Sequence, residues 1–383
     1  MFCFILGKTP KLSIAEIHSL FPKIELVQAS ESFLIVKNLE ENILREKFHQ
    51  IGGTLKIIKI IKNIKDKGAF LRESVLYIQN KELDGKVNFG VSSYGNKINN
   101  FTTGLEIKKI YKKEGTSNLR MVNKDPENLN SAVIKKEKLD QNELELNFIN
   151  TSQRCYFGIT ILSQDIDEYS RRDFEKFRDM NIGMLPPKLA QIMINLAGDG
   201  NVYDPFCGLG TVLIEALNSG IKNVYGSDIS PEMVEKTRRN VETGLIFLQD
   251  ASRIGETNKI KLNETGLNIV TEGYLGQVFS QRNISLDLIK EERLNLIKIY
   301  KGFFEGLQKA SFKGNIVISF PFWEMRGTYI YFEEIYDLLK IKKIKIHKLL
   351  PEACEFKETK LGSLLYKRDN QTVGREIFKL SLN

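Results

Sequence analysis

The hydrophobic rhythm of the chain changes near its middle. Up to about residue 165 it consists of short apolar runs divided by polar turns. Residues 2–6, 24–29, 33–36, 55–61, 75–78, 87–92 and 155–162 are rich in β-branched and aromatic side chains, which predicts strands. Ser13 and Glu16 form an S-x-x-E capping box that predicts a helix running to Leu20. A second helix is expected over 41–51, stopped by Gly52-Gly53. The order strand, helix, two strands, helix, strand over residues 2–61 predicts a small α+β module, and a second module follows, ending near Leu162. Residues 165–179 are charged and helical in character, as a linker would be.

From Met184 onward strands and helices alternate. Helices are expected at 187–197, 211–219, 231–243 and 286–309, and strands at 201–203, 224–227, 267–271 and 315–320. This alternation predicts an α/β fold with a mostly parallel sheet covered on both faces. The end of the chain differs: residues 364–368 and 375–382 read as two strands of a hairpin.

Composition narrows the picture modestly. A chain of 383 residues has room for two or three domains, and 42% apolar with 27% charged residues is ordinary for a globular protein. Cys3, Cys155, Cys207 and Cys354 form no CxxC pair, and His18, His49 and His347 are isolated, which argues against a metal site or a disulfide framework and fits a cytoplasmic location. The apolar start 1–6 is shorter than a signal segment, and no run approaches the ~20 residues of a membrane-spanning helix. Net charge is +8. Residues 51–113 hold 13 Lys or Arg against 5 acids, a surplus equal to that of the whole chain. Either a polyanionic partner or a solvated lysine-rich surface accounts for it. Lys56, Lys59, Lys62 and Lys65 recur every third residue and read as a basic strand running into a loop, on a solvated edge. Lys108, Lys109, Lys112 and Lys113 recur at helical spacing and either line phosphates or face solvent.

The most informative string is Asp204-Pro205-Phe206-Cys207-Gly208-Leu209-Gly210-Thr211, at the end of one expected strand and the start of a helix. Glycines there allow the tight turn and let the backbone approach a ligand, while helix N–H groups face it. An acid follows at the next strand end, Asp228 in Gly226-Ser227-Asp228-Ile229-Ser230-Pro231. A carboxylate there can accept both hydroxyls of a ribose. Asp250 ends a third apolar run and either reaches an adenine amino group or is a plain loop acid.

Residues 204–211, Asp228 and Asp250 resemble the cofactor motifs of class I methyltransferases. The upstream string Gly183-Met184-Leu185-Pro186-Pro187-Lys188-Leu189-Ala190 is similar to the segment before the cofactor strand in THUMP-domain tRNA guanine-N2 methyltransferases, the archaeal and eukaryotic family that acts at tRNA position 10. Leu129-Asn130-Ser131-Ala132 and Tyr156-Phe157-Gly158-Ile159-Thr160 look like parts of a diverged THUMP domain. The resemblance implies an N-terminal ferredoxin-like domain over 1–61, a THUMP-like RNA-binding domain over 62–165 and a linker over 166–182. It implies a Rossmann-like class I methyltransferase sheet with a terminal β-hairpin over 183–383. It also implies S-adenosylmethionine as cofactor, held by Met184, Pro186, Asp204, Pro205, Phe206, Gly208, Gly210, Thr211, Asp228, Ile229 and Asp250. The implied partner is tRNA, with a small activator subunit used by eukaryotic relatives, and no membrane or metal.

One motif departs from the family. After the fourth strand the family carries Asp or Asn, two prolines and an aromatic; here the order is Glu272-Gly273-Tyr274-Leu275-Gly276. Glu272 keeps the acid and Tyr274 an aromatic, one place early, but both prolines are gone. Glu272 is the expected acceptor for a target amino group and Tyr274 the expected stacking ring. Amino-methylation of another RNA, or of DNA, and a non-catalytic RNA-binding protein with a decayed site remain as alternatives. Pro321-Phe322-Trp323 is expected in a loop bordering the mouth of the site, and His347 is expected to be structural.

Overall fold

The computed structural model describes the chain except for residues 82–84, 114–117, 152, 175–184, 278, 281, 370 and 383. Met184 and the end of the expected linker therefore lie outside the described residues. The chain forms two compact units. The first comprises Met1–Ile14, Phe21–His49 and Gly53–Arg172, and the second Ala15–Leu20, Gln50–Gly52 and Asp173–Asn383.

The first unit contains β1 (Phe2–Leu6), the start of α1 (Pro10–Leu20) as far as Ile14, β2 (Glu25–Ala29), β3 (Phe33–Lys37), α2 (Glu41–Lys47), β4 (Thr54–Ile64) and α3 (Lys67–Gln79). It continues with β5 (Val87–Gly95), α4 (Asn100–Lys113), β6 (Leu119–Met121), α5 (Ser131–Lys136), β7 (Glu145–Asn150), β8 (Cys155–Ser163) and α6 (Ile166–Phe174). Its strands join in the order β2-β3-β1-β4-β8-β7-β5-β6.

Three local expectations are corrected here. Residues 75–78 belong to a helix, not a strand: the Asp66 side chain accepts the Ala69 N–H at 2.8 Å, and Phe70, Ser74, Val75 and Ile78 form one buried helical face. The first helix starts at Pro10, so Ser13 lies inside it, and its Oγ donates to the carbonyls of Thr9 (3.1 Å) and Gly53 (2.8 Å) instead of capping. Lys56, Lys59 and Lys62 lie on β4 and Lys65 just beyond it, so the strand runs into a loop as expected, but β4 pairs with β1 on one side and β8 on the other and is no edge. Lys56 is buried and bonds to the buried Glu145, while Lys59 pairs with Glu41 and Lys62 with Glu73 near the surface. Lys108, Lys109, Lys112 and Lys113 are exposed on α4.

The second unit contains α7 (Pro187–Ala197), β9 (Asn201–Asp204), α8 (Thr211–Asn218), β10 (Val224–Asp228), α9 (Pro231–Asn240), β11 (Leu245–Leu248), β12 (Leu267–Thr271) and α10 (Leu286–Lys309). It ends with β13 (Ile316–Met325), β14 (Thr328–Tyr331), α11 (Glu333–Ile341), β15 (Lys345–His347), β16 (Leu364–Tyr366) and β17 (Val373–Ser381). The strand order is β11-β10-β9-β12-β13-β17-β15, with β14 on β13 and β16 on β17. Strands β9 to β13 run parallel, and β17 is inserted antiparallel beside β13. This is the Rossmann-like α/β sheet expected, with its terminal hairpin formed by β16 and β17. The order reverses between β9 and β12, which creates a crevice at the carboxyl ends of those strands.

Pro321, Phe322 and Trp323 are strand, not loop. All three are buried in β13, and Trp323 is fully so. On the side away from β17, β12 pairs only as far as Ile318 and β14 begins at Phe322. Pro321 falls in that gap, where a strand tolerates a residue without an N–H. His347 lies on β15, its Nε2 2.8 Å from Ser381 Oγ, in a structural position. Among the described residues no helix is long and apolar enough to cross a membrane, and no group of three His, Cys, Asp or Glu side chains is placed to hold a metal ion.

The first unit depends on a closed polar cluster. Glu145 Oε1 accepts from Lys56 Nζ and from Ser92 Oγ at 2.5 Å, and Oε2 accepts from Thr160 Oγ1 at 2.5 Å. Breaking such a pair strands a buried charge, which typically costs about 3–5 kcal/mol. Lys56→Met is expected to destabilise by that amount in urea unfolding, and adding Glu145→Gln to recover most of it. Equal loss in the single and double variants would show that the ion pair is not what Lys56 supplies.

Candidate active site

The candidate site is built where four consecutive parallel strands end. Asp204 closes β9, Asp228 closes β10, Asp250 follows β11 and Glu272 follows β12. Backbone register brings these ends together: Gly226 pairs with Asp204, Asp228 with Leu248, and Ile269 with Tyr203.

The turn after β9 is shaped by two glycines. Gly208 has φ +50° and Gly210 φ +83°, in the left-handed region. A Cβ on Gly210 would approach Thr237 and Val241 to 2.9 Å, so helix α9 packs against this backbone. A Cβ on Gly208 would enter open space. Thr237 Oγ1 donates to the Gly208 carbonyl, and Asn240 Nδ2 to the Leu209 carbonyl at 2.9 Å. Pro205 and Thr211 are buried, Thr211 as the first residue of α8. Phe206 is half-buried and packs on the rings of Tyr300 and Phe303 at 6.1 and 5.9 Å. Its ring is tied to the core of the unit.

Asp228 pins the turn. One carboxylate oxygen accepts the Gly208 N–H at 3.0 Å and the other the Ser230 N–H at 2.9 Å. A carboxylate has roughly four acceptor positions, so two remain for another ligand. Ile229 beside it is 68% exposed, an apolar surface with no core role. Ser230 caps α9 through the Met233 N–H, and Pro231 starts the helix. Asp250 accepts from Ser252 N–H and Oγ, both at 2.8 Å, through Oδ1. Pro186 stands before α7, its carbonyl accepting from the N–H groups of Leu189 and Ala190. No hydrogen bond or ion pair among the described residues ties it to the acids.

Asp204 differs from Asp228 in being buried. Its Oδ1 accepts from Thr271 Oγ1 at 2.6 Å and the Phe206 N–H at 3.1 Å. Burial pushes its carboxyl up to about 7, against the pull of those two donors and with help from the neighbouring Asp228 and Glu272.

Glu272 lies one residue beyond β12. Its Oε1 forms an ion pair with Arg375 Nε of β17. Burial raises its pKa, with Arg375 first and Arg368 after it pulling the other way. The loop that carries it is held by three bonds. Ser319 Oγ donates to the Glu272 carbonyl at 2.5 Å, Tyr300 Oη to the Tyr274 carbonyl at 2.8 Å, and Gly273 N–H to Thr271 Oγ1 at 3.2 Å. Gly273 has φ +72°, and a Cβ there would meet Tyr300 Oη at 2.6 Å. The Tyr274 ring is 46% exposed, available to a ligand.

Arg375, Ser319, Tyr300 and Thr271 were not legible as site residues in the sequence. Arg375-Glu376 inside a mainly apolar strand was the available signal, because buried charges need partners.

The comparisons with known proteins bear on the fold and the family. A family model described as UPF0020, RMKL-like, methyltransferase domain, matches residues 175–272. Across its whole length the chain superposes on TrmN from Thermus thermophilus, with a TM-score of 0.53 at 15% identity, covering 100% of this chain and 99% of that one. The fold is that of a class I methyltransferase. Shorter stretches are similar to proteins named tRNA (guanine(10)-N2)-dimethyltransferase. That of Methanothermobacter thermautotrophicus is 48% identical over 63 residues, 16% of this chain and 18% of the relative. That of Pyrococcus abyssi is 28% identical over 179 residues, 44% and 48% of the two chains. That of Methanocaldococcus jannaschii is 37% identical over 94 residues, 24% and 26%. The aligned stretches thus span less than half the length of these curated relatives.

The raised Asp204 carboxyl has a measurable consequence. A carboxyl with a folded pKa near 7 and an unfolded value near 3.8 holds a proton in the folded state that the unfolded state has released. Stability then falls as pH rises from about 4 to about 7 and is flat above. Asp204→Asn keeps an acceptor oxygen for Thr271 and Phe206 but removes this penalty. The stability of the variant relative to wild type, from urea unfolding at several pH values, is expected to grow over that window and then level off. A flat difference would mean that Asp204 titrates normally.

Proposed function

We propose that this chain methylates the N2 amino group of a guanine in tRNA, at position 10, with S-adenosylmethionine as methyl donor. The observation that carries the reading is the convergence of Asp204, Asp228 and Glu272 around an open glycine turn in a class I methyltransferase sheet. Similarity to three tRNA (guanine(10)-N2)-dimethyltransferases supports the choice of substrate.

The residues fit the cofactor. The open space over Gly208 is a cradle that a side chain would fill. The two free acceptor positions of Asp228 match a pair of ribose hydroxyls, and Ile229 offers an apolar face to a purine ring. Asp250 Oδ2 is left to accept from an adenine amino group, and Gly210, Thr211, Pro205, Phe206 and Pro186 shape the surrounding backbone. When bound, the cofactor supplies a methyl group activated on a sulfonium sulfur. Glu272 then deals with the acceptor. The nitrogen lone pair of a guanine amino group is delocalised into the ring, and a carboxylate that accepts an N–H bond helps localise it on nitrogen. The same carboxylate takes the proton that leaves once nitrogen is methylated. Tyr274 stacks on the base.

In this reading residues 1–61 and 62–165 act as a ferredoxin-like and a THUMP-like domain that recognise folded RNA through phosphate and 2′-hydroxyl contacts, joined by the linker 166–182 to the methyltransferase domain 183–383. The exposed lysines of α4 supply charge for phosphates.

Methyl transfer from labelled cofactor to unmodified tRNA, with the label recovered as N2-methylated guanosine and absent when guanine 10 is replaced, is the direct test. A protein that binds cofactor and tRNA yet transfers no methyl group, even with a candidate activator subunit supplied, is a decayed enzyme. Label in another nucleotide would move the substrate assignment. Asp228→Ala removes charge-assisted bonds worth roughly 1.5–3 kcal/mol, so cofactor affinity by calorimetry is expected to fall about 10- to 100-fold. Glu272→Ala is expected to lower turnover on the order of 100- to 1000-fold with cofactor affinity nearly unchanged, and Glu272→Gln to be intermediate. Tyr274→Phe is expected to be mild and Tyr274→Ala severe. Full turnover in Glu272→Ala would transfer the acceptor role to another group.

A further inference from the structure

Glu272 stands on a loop that lacks the paired prolines of related amino-methyltransferase motifs, with flexible Gly273 in their place. The backbone is fixed instead by Ser319, Tyr300 and Thr271, but none of these touches the carboxylate itself. Its one side-chain partner among the described residues is Arg375, reached across the sheet from β17. Arg375 is in turn immobilised. Its guanidinium lies over the Tyr366 ring at 6.0 Å, its Nη1 donates to Gln371 Oε1 at 3.3 Å, and the residue is 2% exposed. Register places Arg375 opposite Pro321 on β13 and Tyr366 on β16, so the terminal hairpin fixes where the guanidinium sits.

We propose that Arg375 is the positioning residue of the site, holding Glu272 by Oε1 so that Oε2 is presented to the substrate amino group. The inference rests on Glu272 being the acceptor. Oε2 has no hydrogen-bond partner among the described residues, whereas the neighbouring buried Glu376 has both oxygens taken, by Ser363 and Tyr336 at 2.5 Å each. A planar guanidinium held by its own partners gives its Nε–H bond to Oε1 a fixed direction, which a freely rotating ammonium does not. The terminal hairpin, remote in sequence from the acid, thereby completes the site.

Arg375 also decides the charge on Glu272. The charged or titratable groups facing that carboxyl are Arg375 from β17, Arg368 from the turn before it, Asp204 from β9 and Tyr300 from α10. Burial favours the protonated acid, which donates where an acceptor is needed, and the two arginines oppose it. The sign follows: removing Arg375 raises the Glu272 pKa further, so the acceptor form is reached only at higher pH.

The test is the full-length protein carrying Arg375→Gln or Arg375→Lys, beside wild type and Glu272→Gln. Infrared titration follows the carbonyl band of protonated Glu272, identified by its absence in Glu272→Gln, and needs no substrate. Arg375→Gln is expected to move that midpoint upward by about one to three units, and Arg375→Lys to move it less. In the methyl-transfer assay Arg375→Gln is expected to lower kcat at neutral pH on the order of 100-fold, with tRNA KM and cofactor affinity unchanged. Raising the pH should restore part of the loss, as the acid limb of the profile shifts with the carboxyl. Arg375→Lys is expected to keep the limb but not the full kcat. A midpoint unmoved in Arg375→Gln, or a kcat loss equal at every pH, overturns the proposal. If Arg375→Gln does not fold, full kcat in Arg375→Lys overturns it. An inactive wild type with a midpoint that still depends on Arg375 would instead remove the methyl-transfer reading and leave the pairing intact.

Discussion

A carboxylate taken out of water must be given donors or lose its charge, and the second unit is organised around that constraint. Four acids stand at the carboxyl ends of adjacent parallel strands, where the strand order reverses and backbone N–H groups of following turns are free to be used. Asp228 is satisfied by N–H groups of the glycine turn and of the start of α9, so turn and acid shape each other. Asp204, deeper, has a threonine hydroxyl and one N–H, and stays close to neutrality. Among the described residues Glu272 accepts no backbone N–H and draws instead on the Arg375 guanidinium, 103 residues away. The inserted antiparallel strand β17 thus reaches the acid at the end of β12 as well as pairing with β13 in the sheet.

Much of this was legible in sequence, for a physical reason. The glycine turn and Asp228 lie within one strand-turn-helix-strand unit, and local rules of turn, cap and strand end suffice to read them. Helix α7, strand β12 and helix α10 fall at the residues their periodicity marked. The misreadings share a different cause. Residues 75–78 look like a strand because four apolar or aromatic residues in a row carry no period, and the N-cap that makes them helix lies nine residues earlier. Pro321 looks like a loop residue because a proline in a strand is tolerated only where the partner strand has stopped, and that depends on where β12 ends. Arg375 is invisible to local rules because its partner is 103 residues away.

The first unit applies the same constraint to a different end. Strand β4 runs through the centre of its sheet carrying lysines that alternate in fate: Lys56 is buried against Glu145, while Lys59 and Lys62 face outward to surface acids. A count of positive charge alone cannot separate these, and the basic surplus of residues 51–113 overstates what a polyanion would meet. The lysines of α4, spaced to share one face, keep theirs at the surface. Charge useful for a nucleic acid is better sought on that helix than along β4.

The acids of the two sheets differ in how many of their oxygens carry a donor. Glu145 receives Lys56, Ser92 and Thr160, and Glu376 receives Ser363 and Tyr336; each has both oxygens occupied. Asp204 and Glu272 each have donors on one oxygen alone. The Glu272 side chain keeps 18% of its surface exposed, so its second oxygen stays within reach of solvent or a ligand. In the proposed reaction the amino group of a nucleobase would supply the donor that this oxygen lacks. The loss of the prolines from the loop therefore does not by itself mark decay.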